Sequence, residues 1–285
     1  MKILVVGAAG QLGSELCEYL LKEDLHDVYQ YDKDAMDITN LLETMTVVKE
    51  IIPNVIINCA AYTNVDGAEQ DYEAAYKINV LGCENLAKAS VAVNAKLIHI
   101  STDFVFDGEK TKPYFEYDAT GPMSVYGQTK LAGEWAIRHE MSRFIIIRTS
   151  WLYGKNGNNF VKTMIKLGKE LPEISVVKDQ VGSPTMVTDL IKLIVVALNS
   201  EHYGVYHFSN KGQCSWYDFA KEIFKLEGLE LKVLETTSEN YPRPARRPSF
   251  SVMDTRLCES TFNIKIREWQ TALKACLAEN RDNFS

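Results

Sequence analysis

Tyr126 and Lys130 bound the segment Tyr126-Gly127-Gln128-Thr129-Lys130. They are about one helical turn apart, so on a helix both side chains reach the same small volume. A phenol with its ordinary pKa of about 10 exchanges protons poorly near neutrality. An ammonium beside it favours the phenolate and lowers that pKa, which makes Tyr126 a candidate proton donor to a carbonyl and Lys130 its partner. Ser101-Thr102-Asp103 follows the apolar run Leu97-Ile98-His99-Ile100. A hydroxyl at such a strand end can donate to a substrate oxygen and polarise it. Thr102 is the candidate third member, although strand alternation alone does not choose between Ser101 and Thr102.

A second group of residues has the chemistry of a phosphate cradle. Gly7-Ala8-Ala9-Gly10-Gln11-Leu12-Gly13 follows an apolar run and precedes a helical pattern. Glycines there permit a tight turn and let the backbone approach a pyrophosphate, whose charge the helix N-terminus favours. Asp32 ends the next apolar run, where a carboxylate accepts hydrogen bonds from ribose hydroxyls. Asp32 repels a 2′-phosphate while Lys33 can accommodate one, so NADH and NADPH both stay open. Asp37-Ile38-Thr39 reads as an adenine-side loop, with Asp37 or Thr39 also able to cap the helix that starts at Leu41.

These groups need a scaffold that brings strand ends to one edge. The first half alternates short strands with longer helical patterns: strands over 3–6, 27–31, 55–58, 96–101 and 144–148, and helices over 10–22, 41–51, 73–94 and from about Ser124. Such alternation implies right-handed βαβ units and a parallel sheet covered on both faces. After residue 150 the elements shorten: helices over 159–169, 186–198 and 216–226, strands over 174–177 and 205–208. The expected division is 1–150 as a dinucleotide-binding domain and 151–285 as mainly a substrate-binding lobe, with some segments returning to the first domain. Tyr241-Pro242-Arg243-Pro244-Ala245-Arg246-Arg247-Pro248 is expected to be a stiff extended loop.

Composition narrows the setting. With 46% hydrophobic and 24% charged residues the chain is of ordinary globular type. Its net charge of −7 argues against nucleic-acid binding. Apolar runs are strand-sized, too short for a bilayer, and the N-terminus lacks the pattern of an export signal, so a cytoplasmic place is expected. The six scattered cysteines and five histidines form no CxxC or HExxH. Reduced, mostly buried thiols are expected, and no metal site.

Taken together, the motifs resemble the extended short-chain dehydrogenases, and within them the dTDP-4-dehydrorhamnose reductases. The matching stretches are GAAGQLG (7–13), NCAAYTNVDGAE (58–69), KIN (77–79), STDFVFDG (101–108), Tyr126 to Lys130, RTSWLYG (148–154), NFV (159–161), DQVGSPT (179–185) and RPARRP (243–248). The resemblance implies a Rossmann-type doubly wound α/β fold with a smaller C-terminal α/β lobe. It implies NADPH or NADH as cofactor, held by Gly7, Gly10, Gln11, Leu12, Asp32, Lys33, Asp37, Ile38, Ala60, Ala61, Tyr62, Tyr126 and Lys130. A dTDP-deoxyhexulose substrate would meet Thr102, Asp103, Phe104, Trp151 and Asn159, with Arg243, Arg246 and Arg247 on its diphosphate, since guanidinium forks match phosphate oxygens.

The implied reaction is reduction of the C4 ketone of dTDP-4-dehydro-β-L-rhamnose, in polysaccharide biosynthesis, by a monomer or homodimer. Some members dimerise through Mg²⁺ and surface glutamates. Glu15 matches one such position, but the other ligands cannot be placed. The family usually has tyrosine at Phe104, and its loss removes a polar contact to the sugar. Two other readings of the fold are a nucleotide-sugar 4-epimerase and a non-catalytic subunit like the regulatory β subunit of methionine adenosyltransferase.

Overall fold

Continuous aliphatic runs flanked by helices form a parallel sheet buried on both faces, because neither side of such a strand tolerates water. A computed structural model describes residues 1–280. It shows β1 (Lys2–Val6), α1 (Gln11–Glu23), β2 (Asp27–Tyr31), α2 (Leu41–Ile51), β3 (Val55–Asn58), β4 (Lys96–Thr102) and β5 (Phe144–Thr149). The strand Gly204–His207 completes a six-stranded sheet in the order Gly204–His207, β5, β4, β3, β1, β2. Every pairing is parallel, so the C-terminal ends Val6, Asn58, Thr102 and Thr149 share one edge. The chain runs from β1 to β2 and returns on the other side to β3, which opens a crevice at that reversal.

One face of the sheet is covered by α1 and the helix Val187–Leu198, the other by α2 and the helices Gly82–Ala92 and Val125–Glu140. The last two thirds of Val187–Leu198 is almost wholly apolar, which suits a helix packed between the sheet and a second helical layer. A separate apolar cluster joins the helices Phe160–Glu170, Trp216–Glu227 and Trp269–Glu279, with Ile174 and Val176 from the strand Glu173–Val177. That strand pairs in parallel with Lys232–Thr236.

Two local features differ from the sequence expectation. The stretch expected as one helix over 73–94 is helical but contains a π-turn at Lys77–Leu81, between Tyr72–Tyr76 and Gly82–Ala92. The bulge frees Asn79 to bind elsewhere: its Oδ1 accepts from the Tyr62 amide and its Nδ2 donates to Thr129 Oγ1. The N-cap of α2 is Asn40, whose Oδ1 accepts from the Leu42 and Glu43 amides, and neither Asp37 nor Thr39 takes that position. Asp37 instead accepts from the Thr39 amide and hydroxyl, closing its own small turn.

The helix Val125–Glu140 is capped by Ser124, which accepts from the Gly127 amide. It is pinned to the sheet by a pair buried to 0% and 3% exposure, Glu134 with Arg148 of β5. Arg148 Nε and Nη2 donate to the two carboxylate oxygens at 3.0 and 2.7 Å, and Ser101 of β4 donates to Oε1. Removing one partner leaves an uncompensated buried charge. Glu134→Ala is therefore expected to lose about 3–5 kcal/mol of stability in urea denaturation, while Glu134→Leu with Arg148→Met recovers most of it. Equal losses in the single and double variants would contradict this account.

Candidate active site

The glycine turn after β1 is built by contact. Gly7 has φ +75°, and a Cβ there would lie 2.6 Å from the Ala60 amide nitrogen; one on Gly13 would meet the Gly7 carbonyl at 2.1 Å. Only glycine lets β1, α1 and the chain after β3 come this close. Ala9 N donates to Asp32 Oδ2 at 3.1 Å, which ties the turn to the end of β2. The backbone leaves α1 with its N-terminus, free of a side-chain cap at Gly10, facing the crevice. Such a cradle fits a dinucleotide pyrophosphate.

The turn opens into a cleft of about 1260 Å³, above the roughly 300–1,000 Å³ of most single-ligand pockets. Gly7, Gly10, Gln11, Leu12, Asp32, Lys33, Asp37, Ile38, Ala60 and Ala61 line one part of it. Thr102, Asp103, Phe104, Tyr126, Lys130, Trp151 and Arg247 line the rest. Most of the expected residues therefore converge.

Four of them do not. Tyr62 holds its backbone against Asn79, and its hydroxyl lies against Gly67 instead of lining the cleft. Asn159 is committed to structure: Oδ1 caps the helix Phe160–Glu170 through the Lys162 amide, and Nδ2 donates to the Gly154 carbonyl. Arg243 stacks on Tyr241 and Arg246 is exposed, both outside the cleft lining. Arg247 reaches the cleft but donates through both terminal nitrogens to Asp66, which also accepts from the Ala245 amide. That pair holds the proline-arginine loop across the crevice.

The choice left open between hydroxyls is made by Glu134. Ser101 is spent on that carboxylate, so Thr102 is the hydroxyl presented to the cleft. Thr102 Oγ1 accepts from the Phe104 amide and donates to Asp103 Oδ1 at 3.1 Å. Phe104 packs edge-on against the Tyr126 ring, centroids 5.5 Å apart. Here an apolar ring restrains the phenol without binding it.

The electrostatics depart from the expectation of an ammonium-lowered tyrosine. Burial pushes the Tyr126 phenol up to about 12, with the Thr102 hydroxyl opposing it. Lys130 is turned back into the protein, donating to the Ile100 carbonyl at 2.7 Å and lying 3.3 Å from His99 Nε2. Burial lowers its pKa, against the pull of Cys83, Glu134 and Cys59. Tyr126 is thus held as the phenol, the form that gives up a proton.

Trp151, expected from the sequence, is completed by residues the sequence analysis did not single out. Trp151 adopts φ +47°, in the left-handed region, and its indole is held between Gly182 and Trp216. The two indoles stack at 3.5 Å and 7°. A Cβ on Gly182 would come within 2.6 Å of the Trp151 ring. Trp216, at the start of a helix far along the chain, had nothing to mark it. Glu134 lies two turns beyond Tyr126 on the same face, and that periodicity was the available clue. Glu15, matched to a surface metal position, is instead 6% exposed beneath the Asn156 amide, which donates to its Oε1. Among the described residues, no group of three or more His, Cys, Asp or Glu side chains is arranged to hold a metal. No helix among them is long and apolar enough to cross a membrane. The six cysteines carry free thiols, five of them buried.

Residues 1–281 match the family model described as the RmlD substrate binding domain. The spore coat polysaccharide biosynthesis protein SpsK of Bacillus subtilis is 42% identical, covering 98% of this chain and 97% of that protein. The dTDP-4-dehydrorhamnose reductase of Escherichia coli is 40% identical, covering 98% of each. The solved structure of the Bacillus anthracis dTDP-4-dehydrorhamnose reductase in complex with NADP superposes with a TM-score of 0.95 at 45% identity, over 98% and 99% of the two chains.

Burial also lifts Asp103, to about 6 from 3.8, although Thr102 and Ser251 face it; Oδ2 keeps no hydrogen bond of normal geometry. An acid whose pKa rises on folding binds its proton more tightly when folded. It therefore favours the native state below about pH 4 and costs stability as pH climbs to about 6, with the full cost above. Asp103→Asn is expected to gain roughly 1–3 kcal/mol at pH 8 and almost nothing at pH 4, by urea denaturation. A gain of equal size at both pH values would refute the buried-carboxylate origin.

Proposed function

The chain belongs to the RmlD substrate binding domain family, and from that membership and the cleft we propose that it reduces the C4 ketone of dTDP-4-dehydro-β-L-rhamnose to dTDP-β-L-rhamnose with NAD(P)H, in dTDP-rhamnose and polysaccharide biosynthesis. The observation that carries this reading is the convergence of Thr102, Tyr126 and Lys130 with the glycine turn in one crevice. A nicotinamide dinucleotide, when bound, supplies the hydride. The residues that would hold it are Gly7, Gly10, Gln11 and Leu12 at the pyrophosphate, Asp32 and Lys33 at the adenosine ribose, Asp37 and Ile38 near the base, and Ala60, Ala61 and Lys130 toward the nicotinamide.

The protein's part is proton delivery and charge stabilisation. Thr102 turns its hydroxyl from Asp103 to the ketone oxygen and polarises it. Tyr126, a phenol at neutral pH, gives its proton to that oxygen as negative charge develops there. Asp103 accepts a hydrogen bond from the Thr102 hydroxyl in this structure, so protonating Asp103 frees Thr102 to donate toward substrate. Trp151, fixed between Gly182 and Trp216, lines the wall of the cleft toward the sugar. Arg247 supplies the positive charge for a diphosphate, exchanging Asp66 for phosphate oxygens. The lobe formed by residues after 150 carries these sugar-side groups, while its helix Val187–Leu198 and strand Gly204–His207 belong to the sheet's own layers.

Phe104 in place of the usual tyrosine takes away one polar contact and leaves a more apolar wall beside the reacting carbon. The proposal accordingly includes weaker discrimination among 6-deoxyhexuloses at that face.

Two outcomes test the reading. With dTDP-4-dehydrorhamnose, the enzyme is expected to consume NADH or NADPH in proportion to product; product without net consumption would make it an epimerase, and no turnover with any dTDP-keto sugar would make it a binding subunit. Tyr126→Phe is expected to lower kcat by about 10²–10⁴-fold with little change in NAD(P)H affinity, since only the transferable proton is removed. Near-normal turnover would remove Tyr126 from the proposed role.

A further inference from the structure

The chain that follows the left-handed Trp151 is fastened to α1. Gln11 Nε2 donates to the Leu152 carbonyl at 3.1 Å, and Asn156 Nδ2 donates to Ser14 Oγ at 3.0 Å. The Asn156 amide donates to Glu15 Oε1 at 3.0 Å, and Lys155 pairs with Glu18. Residues 11, 14, 15 and 18 recur at helical spacing, so one face of α1 carries the whole fastening. The approach is close: a Cβ on Gly157, itself at φ +65°, would lie 3.0 Å from Gln11 Cβ. Of the four helix residues, Gln11 alone also lines the cleft. A carbonyl only accepts, so the atom that Gln11 turns to Leu152 is its Nε2 donor.

What this bond holds is a strained turn. Trp151 has φ +47°, a conformation that a bulky residue keeps only where its surroundings over-determine it. The backbone is clamped on both sides of it. Ser150 Oγ donates to the Ser183 carbonyl at 2.7 Å, and the Thr185 amide donates to the Trp151 carbonyl at 3.1 Å. Leu152–Tyr153 then pairs in parallel with Thr185–Met186. These clamps come from the segment that also supplies Gly182, on the later half of the chain. Gln11 is the clamp from the other side, set in the helix whose N-terminus forms the pyrophosphate cradle. The cost of one left-handed residue is comparable to the contribution of one neutral hydrogen bond, so releasing a single clamp is enough to let this backbone relax.

We propose that Gln11 is a positioning residue for the substrate, acting through Leu152: from the first turn of α1 its side chain keeps Trp151 in the strained conformation that places the indole in the cleft wall. The inference rests on Trp151 belonging to the sugar side of the proposed reaction. Position 11 then serves the two ligands with different atoms. Its backbone N–H is one of the unpaired donors at the start of α1 and is available to a pyrophosphate. Its side-chain amide is spent on the substrate wall. A residue without a side-chain donor at this position leaves the cradle intact and loosens Trp151.

Two readouts on the full chain test this. Stacked indoles couple their transitions, so Trp151 and Trp216 give an exciton couplet in circular dichroism, which Trp151→Phe and Trp216→Phe assign by abolishing it. Gln11→Met keeps the side-chain length and the backbone N–H but lacks the donor. It is expected to lose most of the couplet while the helical signal stays unchanged. With dTDP-4-dehydrorhamnose the same variant is expected to raise KM about two- to tenfold, the size of one neutral hydrogen bond, and to leave the Kd for NAD(P)H within about twofold of the wild type. A full couplet in Gln11→Met overturns the proposal. So does an unmoved KM, and a weakened NAD(P)H affinity beside it would make Gln11 a cofactor contact only. Should Gln11→Met fail to fold, Gln11→Asn, whose amide falls one methylene short of Leu152, is read in the same way. The couplet needs no substrate. If the wild type does not turn over this sugar, the reductase reading fails and the couplet alone decides the role of Gln11.

Discussion

The ion pair between Glu134 and Arg148 fixes the helix that carries Tyr126 and Lys130 against the sheet. Both partners are buried, so each charge relies on the other for what water would otherwise supply. Ser101 completes the carboxylate's shell, so its hydroxyl is committed to Glu134. Thr102, the next residue in β4, points the other way because a strand alternates its faces. One buried contact thus sets the placement of the helix, the facing of Thr102 and the depth at which Lys130 enters. Such a pair contributes little net stability compared with apolar packing, but it specifies one arrangement by making every other one leave a charge exposed to hydrocarbon.

Desolvation dominates the chemistry of the cleft. It raises Tyr126 and Asp103 and lowers Lys130, so all three are displaced toward their neutral forms. This is the pattern expected where a closed, low-dielectric site must supply a proton without stabilising the anion too early. The spacing of Tyr126 and Lys130 alone pointed the opposite way, toward an ammonium lowering a phenol. The difference lies in where Lys130 Nζ ends: against the Ile100 carbonyl and His99, inside the protein. Side-chain reach allows both orientations, and the hydrogen-bond partners behind the helix select one.

The Trp151 side of the cleft is held by strain and by close contact. Trp151 occupies a left-handed backbone conformation, which for a bulky residue persists only when its surroundings over-determine it. Gly182 and the Trp216 ring supply that restraint from two later segments of the chain. Across the crevice, Asp66 holds Arg247 by both terminal nitrogens, pre-setting a guanidinium that would otherwise lose considerable side-chain entropy on meeting an anion. Arg243, stacked on Tyr241 with its guanidinium 4.0 Å from Asp66, and the exposed Arg246 are equal to Arg247 in the sequence, yet of the three it is Arg247 that lines the cleft.

The sequence by itself determined the strands from β1 to β5, the covering helices, the glycine turn after β1 and the tyrosine–lysine pair. Each depends on short-range rules: apolar runs, helical periodicity and the glycines a tight turn demands. α2 and β3 were legible to the residue because Leu41–Ile51 is closed by Pro53 and Val55–Ile57 is uniformly aliphatic. The π-turn at Lys77–Leu81 was not legible, since its residue Asn79 is bonded to Tyr62 and Thr129, 17 and 50 residues away. The strand Lys232–Thr236 and the helices Arg256–Phe262 and Trp269–Glu279 carry weaker patterns and exist through packing, the first and last on the second apolar cluster and Arg256–Phe262 on the helix Val187–Leu198 and the strand Gly204–His207 of the main sheet. Only the tertiary structure decided which hydroxyl faces the cleft, which arginine reaches it, that Asn159 is a cap and that Lys130 turns inward. The hydroxyl, the arginine and the lysine are decided by partners 30 to 181 residues away, whereas the Asn159 cap is closed by Lys162 and Gly154 nearby in the chain. Local spacing can name the groups able to react, but their orientation and charge are set by what is folded against them.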